Sequence, residues 1–189
     1  MPRTAARGGP QTRARISQIA TQLFLQRGFD EVTVAEVARA AGVSSVTVFK
    51  HFPRKEDLLL DRYDDAVELL RTAAHGDVLV SLRRMTLDLV EERHALSGLK
   101  DGSVPFFATV AASPALIARA REIADDLRRT LAEELNDDLL AAFFIAGYTA
   151  VLTETARRQL AGAAPADLVD DHRARVERLF ERLGHGFSG

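Results

Sequence analysis

The chain has 189 residues, enough for one large domain or two small ones with a substantial core, and no cysteine, which excludes disulfides, thiolate metal sites and thiol nucleophiles. Its formal charge of −2 is unevenly distributed: residues 1–55 hold seven Arg and two Lys against three acidic residues, for +6, which leaves −8 for the remainder. A basic N-terminal quarter joined to an acidic remainder indicates that the first part of the chain binds a polyanion.

The N-terminus, MPRTAARGGPQTRAR, is basic, and no apolar segment follows it that would make a signal peptide. We expect residues 1–12 to form a flexible basic arm. The longest apolar run, LLAAFFIAGYTAVL at residues 139–152, is shorter than the roughly 20 residues needed to span a bilayer, so it predicts a buried helix. Together these features predict a cytoplasmic protein that does not enter the membrane.

Apolar residues recur with the helical period along nearly the whole chain, and no stretch alternates with period two. This pattern predicts an all-α fold of about nine helices. In the first helix Ile16, Ala20 and Phe24 lie on one face, and Gly28 supplies the stop.

The next two helices are short and clearly bounded. Thr33 and Glu36 form the capping box that opens the second helix, and Gly42 ends it. Ser44 caps the third helix, which Pro53 closes. A helix, a turn with glycine and a second short helix are typical of a helix-turn-helix unit, in which the second helix enters the DNA major groove.

The third helix, within VSSVTVFKHF at residues 43–52, carries residue types that suit this role. Val48 and Phe52, four residues apart, would anchor it to the core. Ser44 and Thr47 are short, so the backbone can approach DNA while hydroxyl groups reach phosphates near the positive end of the helix dipole.

Side chains around this helix could also contact bases and phosphates. Val46 offers methyl groups to thymine, Lys50 reaches a base edge or a phosphate, and Lys55 is a candidate phosphate clamp. Taken singly, Ser44 could be only a cap and Lys55 only a solvated charge. Their occurrence together in a basic three-helix unit favours DNA contact.

Residues 15–59, RISQIATQLFLQRGFDEVTVAEVARAAGVSSVTVFKHFPRKEDLL, closely resemble the N-terminal DNA-binding domain of TetR-family transcriptional regulators. The matching features are LF…RGF, then TV…VA..AGVS, then T.F.HF..KEDL, and they cover about a quarter of the chain. The resemblance implies a helix-turn-helix domain at residues 1–55, followed by a helical ligand-binding and dimerisation domain at residues 56–189.

The resemblance also implies roles for individual residues. The family usually has tyrosine where this chain has Phe49, so only packing against the DNA backbone carries over to that side chain. Phosphate contacts are implied for Thr47, His51 and Lys55. The predicted DNA-binding set, in which Ser45, Val46 and Lys50 lie where the family reads bases, is Thr33, Ser44, Ser45, Val46, Thr47, Phe49, Lys50, His51 and Lys55.

Six more helices are expected in residues 56–189. The first would run from about residue 56 to 74 and the second over 77–96. Ser113 and Pro114 would start a long helix as N-cap and first helical residue. Asn136 or Asp137 would cap the apolar helix that follows.

This apolar helix has no polar face, so more than one of its faces must be covered. The resemblance implies that one face lines a ligand cavity and that another pairs with the last helix in a dimeric four-helix bundle. The candidate cavity residues, for which core packing is the alternative, are Tyr63, Met85, Leu89, Phe106, Phe107, Thr109, Leu127, Phe144 and Tyr148. The candidate dimer residues are Gly147, Ala150, Val151, Val176, Leu179 and Leu183.

Residues suited to catalysis are few. Adjacent acidic doublets such as Asp125-Asp126 point apart on a helix and make poor acid–base pairs. His172 with Asp171 could contribute to a metal site, but a solvated or interface histidine is the favoured interpretation. The sequence therefore predicts neither an enzyme nor a bound metal or cofactor.

We interpret the chain as a homodimeric, ligand-responsive transcriptional regulator that binds a pseudo-palindromic DNA duplex. It is expected to act as a repressor that a small, largely apolar molecule releases from its operator. One alternative is a TetR-like DNA-binding protein controlled by a protein partner. Another is a helical carrier or enzyme with a vestigial helix-turn-helix. The operator, the effector and the choice between repression and activation stay open.

Overall fold

A computed structural model describes residues 9–186, so residues 1–8 of the expected N-terminal arm lie outside it. Within residues 9–186 the chain forms nine α-helices and three short 3-10 turns and no strand, which confirms the all-α prediction. The helices are α1 Gly9–Arg27, α2 Val34–Ala40, α3 Ser45–His51, α4 Tyr63–Ala73, α5 Val78–Glu91, α6 Ser103–Ala112, α7 Pro114–Leu135, α8 Asp138–Leu160 and α9 Val169–Gly186.

The chain forms two compact units. The head unit contains the described residues up to Asp61 together with Thr109–Arg119, and the body unit contains Arg62–Ala108 and the residues from Ala120 onward. This differs from the predicted division after residue 55, because the head unit also takes in residues 56–61 and a second, distant segment. Helices α6 and α7 each contribute residues to both units.

The head unit is built around the apolar residues that the helical period places inward. Ile16, Ala20 and Phe24 of α1 are buried, as are Val48 and Phe52 at the end of α3. The rings of Phe24 and Phe29 lie 5.0 Å apart between centroids. Burying such side chains removes apolar surface from water and contributes about 2 kcal/mol for each large one.

Two predictions of helix boundaries in the first 74 residues are wrong. Helix α1 already begins at Gly9, so residues 9–12, expected in a flexible arm, are helical. Pro10 lies in the first turn of α1, where a backbone N–H would have no acceptor within the helix, so proline is tolerated there. The single helix expected from 56 to 74 is instead a 3-10 turn at Glu56–Leu58 followed by α4. No Gly or Pro marks this break, and the Ser17 hydroxyl donates a hydrogen bond to Asp61 there.

The helix expected over residues 77–96 is shorter than predicted. Asp77 caps α5 by accepting a hydrogen bond from the Val80 amide, and the helix ends at Glu91. Arg93 follows with a φ of +48°, in the left-handed region, which stops helical propagation. Asp137, one of the two predicted caps of α8, accepts hydrogen bonds from the Leu139 and Leu140 amides.

The core of the body unit lies among helices α4, α5, α7, α8 and α9. Leu82, Leu131, Ala141, Phe144 and Val176 are among its buried residues. Helix α9 packs against both α5 and α8. Because a fully buried core side chain touches several neighbours at once, truncating any of these would leave a cavity.

Helix α8 has 23 residues and is long and apolar enough to cross a membrane by length and composition, contrary to the expectation from the shorter apolar run. One such helix is weak evidence for a membrane span. Only 22% of its apolar window is buried within the chain, and Leu139, Phe143 and Leu160 are largely exposed. The expected fully buried helix is therefore buried on one side only.

Candidate nucleic-acid interface

The start of α2 is fixed by the predicted capping box. The Thr33 hydroxyl accepts a hydrogen bond from the Glu36 amide at 3.2 Å, and the Thr33 amide donates to the Glu36 carboxylate at 2.8 Å. Hydrogen bonds from the Thr33 amide and hydroxyl, helped by Arg27, lower the pKa of Glu36 to about 2. Thr33, a predicted DNA contact, thus already uses its side chain to cap α2.

A glycine turn joins α2 to α3. Gly42 has a φ of +66°, which glycine adopts without the steric cost of a side chain. The Ser44 side chain then caps α3 by accepting a hydrogen bond from the Thr47 amide at 3.1 Å. The Ser44 and Thr47 hydroxyl groups also lie 2.9 Å apart. These local bonds hold the N-terminus of α3 in one conformation.

Helix α3 has a buried side and an exposed side. Val48 and Phe52 are buried, as predicted, and fix the rotation of the helix about its axis. Val46 is 79% exposed and Phe49 50% exposed, and Lys50 is exposed beside them. A valine with so large an exposed fraction is unusual on a helix that only packs against a core.

The other predicted DNA contacts around this exposed side differ in how far their side chains are exposed to solvent. Ser44 is exposed, whereas Ser45, Thr47 and His51 are half-buried. The Arg13 guanidinium lies 4.6 Å from the centroid of the Phe52 ring, a cation–π distance. This contact places a positive charge at the C-terminal end of α3.

Lys55, the predicted phosphate clamp, makes contacts inside the head unit. Its Nζ donates a hydrogen bond to the Phe29 carbonyl oxygen at 2.6 Å and lies 4.2 Å from the centroid of the Phe29 ring. An ammonium group has three donors, so two remain for other acceptors. The structure therefore gives Lys55 a packing role that the sequence pattern did not indicate.

The segment Thr109–Arg119, from α6 and α7, is bound to the rest of the head unit through the carboxylates of Asp30 and Asp57. Arg119 Nε donates to Asp57 Oδ1 at 2.8 Å, with only 17% and 16% of the two side chains exposed. The other oxygen of Asp57 accepts a hydrogen bond from the Arg54 amide at 3.2 Å, just beyond α3. Ser113, predicted as an N-cap, donates its hydroxyl hydrogen to Asp30 at 3.2 Å.

Sequence reasoning missed these contacts because the partners lie far apart in the chain. Arg119 is 62 residues from Asp57, and Ser113 is 83 residues from Asp30. No short motif links residues at such separations. The only local signal was Ser113 before Pro114, which indicates a helix start and not a tertiary partner.

Several of the predicted ligand-lining residues of the body unit pack against neighbouring side chains. Phe144 is 1% exposed, and its ring is parallel to that of Tyr148, with 6.1 Å between centroids. The Tyr148 hydroxyl donates to the Leu96 carbonyl oxygen at 3.2 Å, and burial raises the pKa of Tyr148. Phe106 and Phe107 contact each other edge to face. Packing was the alternative for these residues, and the structure packs them.

Met85 and Leu89 of the predicted set do line an open space. It is a cleft of about 390 Å³ between α4 and α5. Leu69 and Ala73 of α4 complete its apolar lining. Its remaining lining includes charged residues that the apolar prediction did not contain, namely Arg84, Asp88 and Glu92.

Most of the predicted dimer residues make packing contacts within the chain. A Cβ on Gly147 would meet Leu179, so α8 and α9 touch there. Val151, Val176 and Leu183 are buried in the same way, and Ala150 alone of the six is exposed. The exposed apolar residues of α8 are instead Leu139, Phe143 and Leu160.

His172 is fully buried within the chain, whereas the sequence favoured a solvated or interface histidine. Its Nδ1 lies 2.7 Å from the Thr155 hydroxyl oxygen. Burial and the nearby Arg175 charge lower the pKa of His172 to about 4, against the opposing effect of Asp171. Among residues 9–186, no three His, Asp or Glu side chains are grouped closely enough to hold a metal ion.

Residues 16–61 match the family model described as bacterial regulatory proteins, tetR family. The transcriptional regulator AcrR of Shigella flexneri is 31% identical over 98 residues, 48% of this chain and 46% of AcrR. The regulator TcmR of Streptomyces glaucescens is 29% identical over 159 residues, 75% of this chain and 70% of TcmR. Most curated relatives are matched over about half of their own length.

The fold also agrees with solved structures. FadR of Thermus thermophilus, a TetR-family transcriptional repressor in complex with lauroyl-CoA, superposes with a TM-score of 0.58 at 26% sequence identity. The match covers 94% of this chain and 95% of FadR, so the likeness extends well beyond the helix-turn-helix.

Proposed function

We propose that the chain is a DNA-binding repressor of the TetR family controlled by a small molecule, because residues 16–61 match the family model and the curated relatives are transcriptional regulators. The observation that carries this proposal is the exposed side of α3. Capping bonds and buried anchors hold the helix, while Val46, Phe49 and Lys50 extend away from the core. This side would enter the major groove.

In the proposed complex, base contacts and phosphate contacts have different origins. Val46 suits the methyl group of thymine, and Lys50 can donate to a guanine edge. Hydroxyl groups at the start of α3 and the positive end of its dipole suit phosphates. The proposed contacts are Ser45, Val46 and Lys50 to bases, and Thr33, Ser44, Thr47, Phe49, His51 and Lys55 to the DNA backbone.

We propose that two copies bind one operator. A seven-residue helix reads few base pairs, so useful specificity needs two half-sites and a two-fold symmetric protein. The exposed apolar residues of α8 support a dimer surface that shares Ala150 with the predicted set and adds Leu139, Phe143 and Leu160. Burial of this face against a second copy fits a cytoplasmic protein better than exposure to lipid does.

The effector is proposed to bind the body unit and to disfavour the DNA-bound conformation. Binding of effector and operator would then be antagonistic, and each would weaken the other by the same factor. The FadR structure contains lauroyl-CoA, and its likeness to this chain supports a ligand-binding role for the helical body. The cleft between α4 and α5 is an open space of the body unit in which the effector could bind.

The proposal is tested by selecting bound duplexes from a random DNA pool. Enrichment of a two-fold symmetric sequence, bound by two chains per duplex in sedimentation, is the expected result. Binding without any sequence preference at physiological salt would contradict the proposal, because phosphate contacts alone produce it. A screen of small molecules for release of the selected duplex then separates an effector-controlled repressor from one without an effector.

A further inference from the structure

We propose that Arg13 binds a phosphate of the DNA backbone beside the C-terminal end of α3, and that the ring of Phe52 holds its guanidinium in position. Arg13 precedes every residue of the predicted DNA-binding set, which begins at Thr33. The inference rests on the proposed function, because it adds a backbone contact to the proposed DNA complex. It assigns that contact to a side chain that packing within the head unit already fixes.

Arg13 continues the buried face of α1. The buried residues of this face include Ser17, Ala20 and Phe24. Arg13 lies four residues before Ser17, which places it one helical turn away on the same side. It is half-buried, as is usual for an arginine whose apolar stem packs while the charged end reaches water. Arg15 points to the other side of the helix, about 200° away, and is exposed.

The charged end of Arg13 lies over an aromatic ring. Its Cζ atom is 4.6 Å from the centroid of the Phe52 ring, within the roughly 6 Å of a cation–π contact. Phe52 is only 1% exposed, so the core of the head unit holds its ring in one position. The ring attracts the cation and restricts its conformations, so less side-chain entropy is lost when the guanidinium binds a phosphate.

Phe52 also determines where this charge lies relative to α3. It is the C-cap of α3 and follows His51 directly. Arg13 therefore brings a guanidinium to the end of the helix opposite Ser44, the N-cap. The N-terminal residues of a recognition helix contact base edges, whereas the C-terminal end of such a helix contacts the DNA backbone. A guanidinium at that end suits a phosphate, because its planar N–H groups can donate two parallel hydrogen bonds.

The alternative role for Arg13 is to cover the Phe52 ring without contacting DNA, and substitution by methionine separates the two roles. The side chain of methionine is long enough to cover the ring, and its thioether makes favourable contacts with aromatic groups. It has no charge to offer a phosphate. We therefore expect Arg13→Met to keep a near-native melting temperature and to weaken DNA binding.

Salt titrations of DNA binding by the full chain measure the phosphate contact. Arg13→Met should weaken binding to the selected operator and to an unrelated duplex alike, by about five- to tenfold for each bound copy near physiological salt, and should lower the salt slope by about one per copy. Arg15→Met is the matched control, since it removes the same charge from the exposed side of the same helix, and it should change the slope by less than half as much. Equal effects of the two substitutions, or an unchanged slope for Arg13→Met, would overturn the proposal.

The role of the ring is tested by Phe52→Leu, which keeps an apolar side chain in the core and removes the aromatic face. Binding is compared at a temperature at which circular dichroism shows every variant to be folded. If the ring holds Arg13, then Arg13→Met should cost less affinity in the Phe52→Leu background than in the native chain. Equal losses in both backgrounds would show that Phe52 does not position the guanidinium and would overturn that part of the proposal.

The same titrations separate this proposal from the proposed function. If the native chain binds a two-fold symmetric operator and Arg13→Met binds it equally well, the Arg13 contact fails and the regulator proposal stands. If the native chain binds all duplexes alike and Arg13→Met lowers the salt slope, the regulator proposal fails and the Arg13 contact stands. A native chain that binds no duplex would overturn both.

Discussion

A Cβ atom added to Gly147 of α8 would collide with Cδ1 of Leu179 of α9, so the two helices meet where only glycine fits without movement. We expect Gly147→Ala to destabilise the protein by about 1–2 kcal/mol, since overpacking outweighs the better helix propensity of alanine. Urea unfolding measures the change. Gly184→Ala on α9 should instead stabilise the protein, because a Cβ there would meet nothing within 4 Å and only the helix propensity changes.

The side chain of Leu179, not the backbone, lies against Gly147, which allows a rescue. In a Leu179→Ala background, Gly147→Ala should become neutral or stabilising, because the colliding methyl group is gone. A double-mutant cycle gives the coupling energy between the two positions. Additive effects would show that the close approach is not what makes Gly147 necessary.

The ion pair between Asp57 and Arg119 should contribute measurably to the head unit, because both side chains are mostly shielded from water. Asp57→Asn is expected to cost about 1–3 kcal/mol of unfolding free energy, with weaker operator binding, since Asp57 also holds the Arg54 amide beyond α3. Asp65→Asn, in the exposed pair with Arg62, should cost less than about 0.5 kcal/mol. Equal costs for both variants would contradict the assigned role.

Two lysines near α3 should respond differently to substitution. Lys50→Met should weaken DNA binding and lower the salt slope by about one, without changing stability, because the side chain is exposed. Lys55→Met should also reduce stability, by about 1–2 kcal/mol, because its ammonium group bonds the Phe29 carbonyl. Thermal unfolding and salt titration separate the two effects. An unaltered melting temperature for Lys55→Met would argue against this packing role.

His172 makes stability depend on pH. Its pKa is lowered from an ordinary 6.5 to about 4, so the unfolded chain binds this proton more readily than the folded one. The contribution of the neutral, buried His172 to the free energy of unfolding is fully present above about pH 6.5. It is lost as the pH falls toward 4, and the total loss is about 3 kcal/mol. Relative to His172→Gln, the native chain should therefore lose stability across this window. Parallel curves for the two proteins would rule out His172 as the source.

Oligomeric state tests the exposed face of α8. If the proposed dimer forms through this face, Ala150→Glu or Leu139→Glu should convert it to monomers, because a charge would be buried against the second copy. Val80→Glu is the control, since Val80 is also an exposed apolar residue but lies on α5. Analytical ultracentrifugation at micromolar concentration measures all three. Dissociation by the Val80 substitution alone would move the interface away from α8.

The features that the sequence predicts well are those formed between residues close together in the chain. The capping residues Thr33 and Ser44 each bond an amide three positions away, so a short pattern contains both partners. The interruption after Leu58 lies beside the distant Ser17–Asp61 bond, and no local pattern contains both of these residues. Helix α8 is apolar nearly all round, so its sequence does not specify which side faces α9. The same uncertainty applies to the predicted dimer and cavity residues, of which several, such as Val151 and Phe144, pack within the chain.

Helix α7 begins in the head unit and ends in the body unit, and this limits how such proteins can be recombined. A chimera that takes only residues 9–61 and joins them to a foreign body loses Arg119 and the fully buried Leu116. Asp57 would then keep its charge without its cation, and the site of Leu116 would be left empty. A transplantable DNA-binding module from this chain therefore consists of two segments, 9–61 and 109–119, and the recipient must provide a scaffold that carries both.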